Sequence, residues 1–206
     1  VIVINIRGTG GSGKSTLVTS VMKRYPNVAQ IKMEGRKRPL ATTLWWDLGS
    51  AKVEQKKVLP KGLLVPGHYD TACGGCDTIK TVDQVYELVR SASLGDGNNV
   101  LYEGIMVMDD VTRAVKLDQD LKKVGSRLVV ISLTTSIEDC LAGIRARKEA
   151  RGDEKPLNEK NTRDRMKRQE NILHRLKAAG VELKKLSRDE ALAHTLELLG
   201  VVDGKA

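Results

Sequence analysis

A chain of 206 residues, 40% apolar and 30% charged, has the length to bury a core as one domain and the composition of a globular protein. No apolar run approaches the ~20 residues of a membrane span, and three cysteines do not make a disulfide framework. The excess of 35 Lys and Arg over 26 Asp and Glu gives a net charge of +9, which favours nucleotides, nucleic acid or phosphorylated substrates as partners. A merely basic surface has the same composition. Nothing at the start resembles a secretory signal, so a reducing cytoplasm is the expected compartment.

Residues 1–7 are β-branched and end in a glycine-rich loop, which predicts a buried strand. From Lys14, the residues Leu17, Val18, Val21, Met22 and Tyr25 recur at helical spacing until Pro26 stops the helix. Residues 28–62 are less regular and read as an insertion, in part a hairpin, with a basic cluster at Arg36, Lys37 and Arg38. Residues 63–69 read as a strand. Asp77 or Thr78 is then placed to cap a helix with the stripe Ile79, Val82, Tyr86 and Val89.

Further strands are expected at 99–104, 127–133 and 181–186, and helices from 109 to 125, 137 to 151, 159 to 179 and 188 to 199. Ser136 and Ser187, each followed by an acid three residues on, supply helix starts. Strands alternating with helices imply right-handed crossovers and one α/β domain, 1–206, with a parallel sheet covered on both faces.

Gly8-Thr9-Gly10-Gly11-Ser12-Gly13-Lys14-Ser15 satisfies G-x-x-x-x-G-K-[ST] in full. Such a loop needs glycines because its backbone wraps closely around phosphate oxygens, with successive N–H groups and a helix N-terminus pointed at the anion. Lys14 is expected on the β- and γ-phosphates of ATP, the Ser15 hydroxyl on Mg²⁺, and Thr16 near the α-phosphate. Chance agreement in a chain of this length is on the order of one in a hundred or less.

Ligands of open α/β sheets sit beyond the carboxyl ends of the strands, so acids there are the candidates for the rest of the site. Glu103 ends a strand and is expected to help hold Mg²⁺. Asp70 is the first choice for general base, with Asp77 second; for Asp77 an ordinary capping role is equally open. Charge on the transferred phosphoryl group calls for cations. Arg145, Arg147, Lys148 and Arg151 end one helix, and Arg163, Arg165 and Arg168 lie on the next, across a polar break at 152–158. This helix–break–helix, 143–168, resembles the lid of small P-loop kinases, with Arg145 and Arg147 as candidate catalytic cations. Cations at a helix C-terminus are also favoured by the helix dipole alone.

Cys73 and Cys76 with His68 invite a zinc reading, but four ligands are needed and no second pair follows, so a tight turn is the preferred account. In the insertion, Arg36, Lys37, Arg38, Trp45 and Trp46, followed by Lys52, Lys56, Lys57 and Lys61, combine charge with aromatic faces, as a polynucleotide-binding edge requires. The alternative is that Trp45 and Trp46 alternate on a strand, one packed inside and one covering a neighbour. An enzyme acting on a base inside a duplex would also have to extrude it.

The layout resembles the P-loop kinases that include nucleoside, nucleotide and polynucleotide kinases. More narrowly, Gly67-His68-Tyr69-Asp70-Thr71-Ala72-Cys73-Gly74-Gly75-Cys76-Asp77-Thr78-Ile79, with Arg7-Gly8 leading into the loop, is similar to the bacteriophage 5-hydroxymethyluracil DNA kinases. That resemblance implies phosphorylation of the hydroxymethyl group of a modified thymine in DNA, as a step of hypermodification in an infected bacterial cytoplasm. It also implies Asp70 as base, and the basic insertion agrees with a DNA substrate, with Arg36, Lys37, Arg38, Trp45, Trp46 and Asp77 expected on the substrate side. A kinase of free nucleosides, nucleotides or small metabolites is the alternative.

Overall fold

Period-two alternation explains how the first strand serves two cores. In the computed structural model, which describes residues 1–46, 62–71 and 74–201, β1 (Ile2–Arg7) is buried along its length. Ile2, Ile4 and Ile6 enter one apolar cluster, with Leu17, Val18 and Val21 from α1 (Lys14–Met22) and Ala191 and Leu196 from α7 (Arg188–Leu198). Val3 points to the other face, beside apolar residues of α2 (Val82–Arg90), α4 (Val111–Lys123) and α6 (Glu159–Ala178). Helices therefore cover both faces.

Among the described residues the sheet has seven strands in the order β2-β3-β4-β5-β1-β6-β7. β4 (Leu63–Pro66), β5 (Asn99–Glu103), β1, β6 (Arg127–Leu133) and β7 (Glu182–Leu186) are parallel, and β1 lies at the centre with β5 and β6 as neighbours. β2 (Asn27–Ile31) and β3 (Ala41–Trp45) form an antiparallel hairpin that extends the sheet beyond β4. Part of the expected insertion is thus an edge of the main sheet. Lys52, Lys56, Lys57, Lys61 and Cys73 lie outside the described residues.

Local chemistry sets the element ends. The strand expected to reach residue 69 stops at Pro66, where Gly67 takes φ 83° and turns the chain. Thr81, not Asp77 or Thr78, caps α2, its hydroxyl accepting from Gln84 N at 3.2 Å. Ser136 caps α5 (Ile137–Glu149), Asn158 caps α6, and Ser187 with Glu190 forms a reciprocal capping box on α7. A short helix, α3 (Ile105–Met108), follows β5 without having been expected.

Arg7 is fully buried at the end of β1. Its guanidinium donates to Asn5 Oδ1 at 2.6 Å, to the Met108 carbonyl at 2.7 Å and to the Val107 carbonyl at 3.3 Å. Three acceptors satisfy a cation that burial would otherwise penalise heavily, and they tie the last turn of α3 to the central strand. No helix among the described residues is long and apolar enough to cross a membrane.

Candidate phosphate-transfer site

The loop after β1 folds at the carboxyl edge of the sheet, and two of its glycines have conformations a side chain would strain. Gly11 has φ 85°, and a Cβ there would lie 2.1 Å from the Cys140 carbonyl oxygen on α5. Gly13 caps α1 at φ 92°, and a Cβ there would meet Arg188 at 3.0 Å. The loop is tightened by Ser12 N donating to Thr9 O at 3.1 Å and by the Thr135 hydroxyl donating to Ser12 O at 3.0 Å. On its far side Thr9 donates to Gln169 Oε1 at 3.4 Å, and Gln169 donates onward to Ser132 at 3.2 Å.

Lys14 is buried, with its ammonium folded back onto the Gly8 carbonyl at 2.6 Å and the Thr9 carbonyl at 3.1 Å. Burial lowers its pKa, and the nearby Glu103 opposes that shift. Ser15, one residue on, donates its hydroxyl to Glu103 Oε1 at 2.8 Å. Glu103 is 2% exposed. Burial raises its pKa, while Lys14 and the Ser15 hydrogen bond work against the rise.

A buried carboxylate beside a serine hydroxyl suits a hard divalent cation such as Mg²⁺, which takes one or two protein oxygens and completes its shell with phosphate and water. Among the described residues no cluster of three or more His, Cys, Asp or Glu forms a separate metal cage.

The glycine pair after Asp70 has a spatial purpose. Gly75 takes φ 73°, and a Cβ there would lie 2.5 Å from Glu103 Oε1. The turn therefore presses its backbone against the acid. Cys76 is buried in the apolar core, where desolvation pushes its thiol pKa up, as in a packed turn.

Loop and acid line a cavity of about 530 Å³ with Gly10, Thr16, Gly74 and Asp77 and with the cations Arg147, Lys148, Arg151, Arg165 and Arg188. The cations expected on a lid divide. Arg145 points away, pairing with Glu159 beside a separate surface cleft. Arg163 faces Glu138 at 3.8 Å, and Arg168 faces Asp109 at 3.6 Å. Arg188 was missed by sequence reasoning. A cation in the first turn of a helix opposes the helix dipole, and that local misfit was the available signal.

Asp77 lines the cavity, but both carboxylate oxygens accept from the start of α3, from Ile105 N at 2.9 Å and Met106 N at 3.0 Å. It is a helix cap, of a helix 28 residues away. Asp70 is exposed and lies in a neighbouring groove with His68, Tyr69 and Thr19, outside the phosphate cavity.

The hairpin register separates the proposed substrate residues. Ala41 pairs with Pro66 at the carboxyl edge and Leu44 with Leu63 at the opposite edge. Trp45 and Trp46 are thus carried about 14 Å along the sheet from the phosphate-binding edge. They are not brought together with the loop. Trp46, 46% exposed, instead covers Tyr25 with ring centroids 5.5 Å apart, whereas Trp45 is half-buried. The turn between β2 and β3 returns to the carboxyl edge. There Arg36 donates to Thr78 O at 2.8 Å and Arg38 contacts His68 Nε2 at 3.1 Å, while Lys37 is exposed.

Loop, acid and arginines meet at one edge of a parallel sheet in the chain order of P-loop kinases, and to that class of phosphotransferase the fold and site assign the chain. No protein-family model matches it. A protein of Pseudomonas phage PaMx11 named 5-hmdU DNA kinase is 41% identical over 198 residues, covering 96% of each chain. The chain belongs to the phage 5-hmdU DNA kinase family. Solved structures of deoxyadenosine kinase from M. mycoides are more distantly similar. One, with products dCMP and a flexible dCDP, is 18% identical with a TM-score of 0.43 over 96% of each chain. Another, with bound dATP, is 14% identical with a TM-score of 0.45 over 96% of this chain and 97% of that one.

Proposed function

We propose that this kinase transfers the γ-phosphate of ATP to the 5-hydroxymethyl group of hydroxymethyluracil in DNA, in the cytoplasm of an infected bacterium. The observation that carries the reading is the near full-length relative named for that substrate. The phosphate loop facing a buried acid, and the basic turn Arg36, Lys37, Arg38 at the same edge, support it. The whole chain is read as one kinase domain, with 28–62 on the substrate side and 143–168 as lid.

Gly8 through Thr16 hold the triphosphate, with main-chain amides on its oxygens and the Lys14 ammonium exchanging its carbonyl partners for the β- and γ-phosphates. Ser15 and Glu103 would hold Mg²⁺, which supplies neutralisation of phosphate charge when bound. Asp70 accepts the proton of the hydroxymethyl oxygen as that oxygen bonds to the γ-phosphorus. The bond from phosphorus to the β,γ-bridging oxygen breaks, and ADP leaves with its electron pair. Arg147, with Arg151 and Arg165, faces the charge that spreads over the phosphoryl oxygens, and closure of the two helices excludes water. Arg145 joins them only if the lid rearranges.

The test supplies ATP labelled at its terminal phosphate with ordinary DNA, hydroxymethyluracil DNA and the matching free nucleosides. Label in hydroxymethyluracil DNA, with an acceptor KM rising steeply with salt, is expected. Label on a monomer alone would replace the reading with a kinase of free nucleosides or small metabolites.

A further inference from the structure

We propose that the groove between α1 and the β2–β3 hairpin receives the acceptor base after it has left the DNA stack. This deepens the preceding reading and rests on it. The groove holds about 370 Å³, within the ~300–1,000 Å³ of small-ligand sites. Its lining combines Met22, Val28 and Leu44 with polar groups from Thr19, Gln30 and Thr42, and Tyr25 contributes an aromatic ring.

Its position suits an acceptor. Asp70, the proposed base, lies in this groove and not in the phosphate cavity, so the attacking oxygen has to approach from here. The two spaces share a wall. Tyr69 lines the groove, and a Cβ on Gly74, which lines the cavity, would lie 3.3 Å from its ring. On α1 the groove begins at Thr19, whose hydroxyl donates to the Ser15 carbonyl at 2.5 Å, one helical turn from the residue proposed to hold the cation.

His68 supplies the second, independent observation. Arg38 has only donors to offer, so at 3.1 Å the imidazole Nε2 must be the acceptor, and the ring proton sits on Nδ1. His68, 2% exposed, lines the groove, and its Nδ1–H is itself buried with no hydrogen-bond partner among the described residues. A buried donor without a partner is rare in folded proteins, and a small turn of the imidazole toward the groove would offer it to a ligand's acceptor. The ring oxygens of a uracil, or its hydroxymethyl oxygen, provide one. Gln30, opposite Thr42 in the hairpin register, offers an amide that can donate to a uracil oxygen and accept from its N3–H. Trp46 props Tyr25 from outside, and Arg36, Lys37 and Arg38 stand at the end of the groove nearer the phosphates, where the strand backbone would pass.

A base paired in a duplex could not enter such a space without extrusion. The experiment places 2-aminopurine beside hydroxymethyluracil in duplex DNA and follows its fluorescence as enzyme is added, alongside phosphate transfer. Wild-type enzyme should brighten the probe. Val28→Trp fills the groove from a position 60% exposed and should raise the DNA KM at least tenfold and abolish the brightening. Gln30→Trp repeats the test from a second exposed site, and thermal unfolding controls for folding. If wild-type enzyme labels hydroxymethyluracil DNA while both tryptophan variants keep its KM and fluorescence response, the groove assignment is wrong and the kinase reading stands. If wild-type enzyme labels no DNA, both fail.

Discussion

The Ser15 hydroxyl reaches from the first turn of α1 to the last residue of β5, donating to Glu103 Oε1 at 2.8 Å. That bond joins two elements that both line the phosphate cavity. Replacing Glu103 by Gln keeps its shape and removes its charge. Transfer should fall by roughly 10²-fold or more, and the Mg²⁺ needed for half-maximal rate should rise. Ser15→Ala should act in the same direction, and the double variant should lose less than the product of the two, because both residues are proposed to hold one ion. Steady-state kinetics against free Mg²⁺ decides.

Arg145 and Arg147 are two residues apart and differ in surroundings. Arg147 lines the phosphate cavity, while Arg145 pairs with Glu159 outside it. Arg147→Ala should lower kcat at least about tenfold with little change in DNA affinity. Arg145→Ala removes an exposed ion pair of the kind worth about 0–1 kcal/mol and should leave kcat within about a factor of two. Equal losses in both variants would mean that the lid turns during the reaction.

Asp77 holds the first amides of α3, and α3 in turn is held from below by Arg7. Asp77→Ala should cost about 1 kcal/mol, as for other caps, and lower the unfolding midpoint by about 2–4 °C. Asp77→Asn keeps an acceptor and should cost less. A variant with normal melting and no transfer would instead return Asp77 to the chemistry.

His68 gives the fold a pH dependence of definite sign. Burial, then the neighbouring Arg38, holds its pKa below the ordinary histidine value. Between that lowered pKa and the unfolded value near 6.5, the unfolded chain binds the proton and the native chain does not. Stability is therefore lost as pH falls through that window. The wild-type unfolding midpoint should drop on going from pH 7.5 to 5.5, and a His68→Gln variant should drop less. An identical slope in both would mean that His68 titrates freely in the native state.

The legible parts were those whose signal is local. A β-branched run, a glycine loop and a helix-period stripe mark β1 and α1, and the serine caps of α5 and α7 follow from three-residue patterns. What remained hidden depends on pairing across the chain. The reversal of β3 moves Trp45 and Trp46 away from the phosphates, and nothing in their own neighbourhood records its register. Asp77 caps a helix 28 residues downstream, whereas local reading offers only the next one. The split between Arg145 and Arg147 could have been found, because two residues on a helix lie ~200° apart and only one can face the loop.

The close approach of α5 to the loop at Gly11 bears on how the proposed lid can travel. A Cβ on Gly11 would strike Cys140 O, and one on Gly143 would come within 2.9 Å of Gly11 O, so α5 rests main chain against main chain on the loop. In the proposed lid motion the first half of α5 would serve as an anchored pivot, with bending left to the connection at 150–158. Enlarging either glycine would pry the pivot loose and should blunt the response to nucleotide even where every charged group survives.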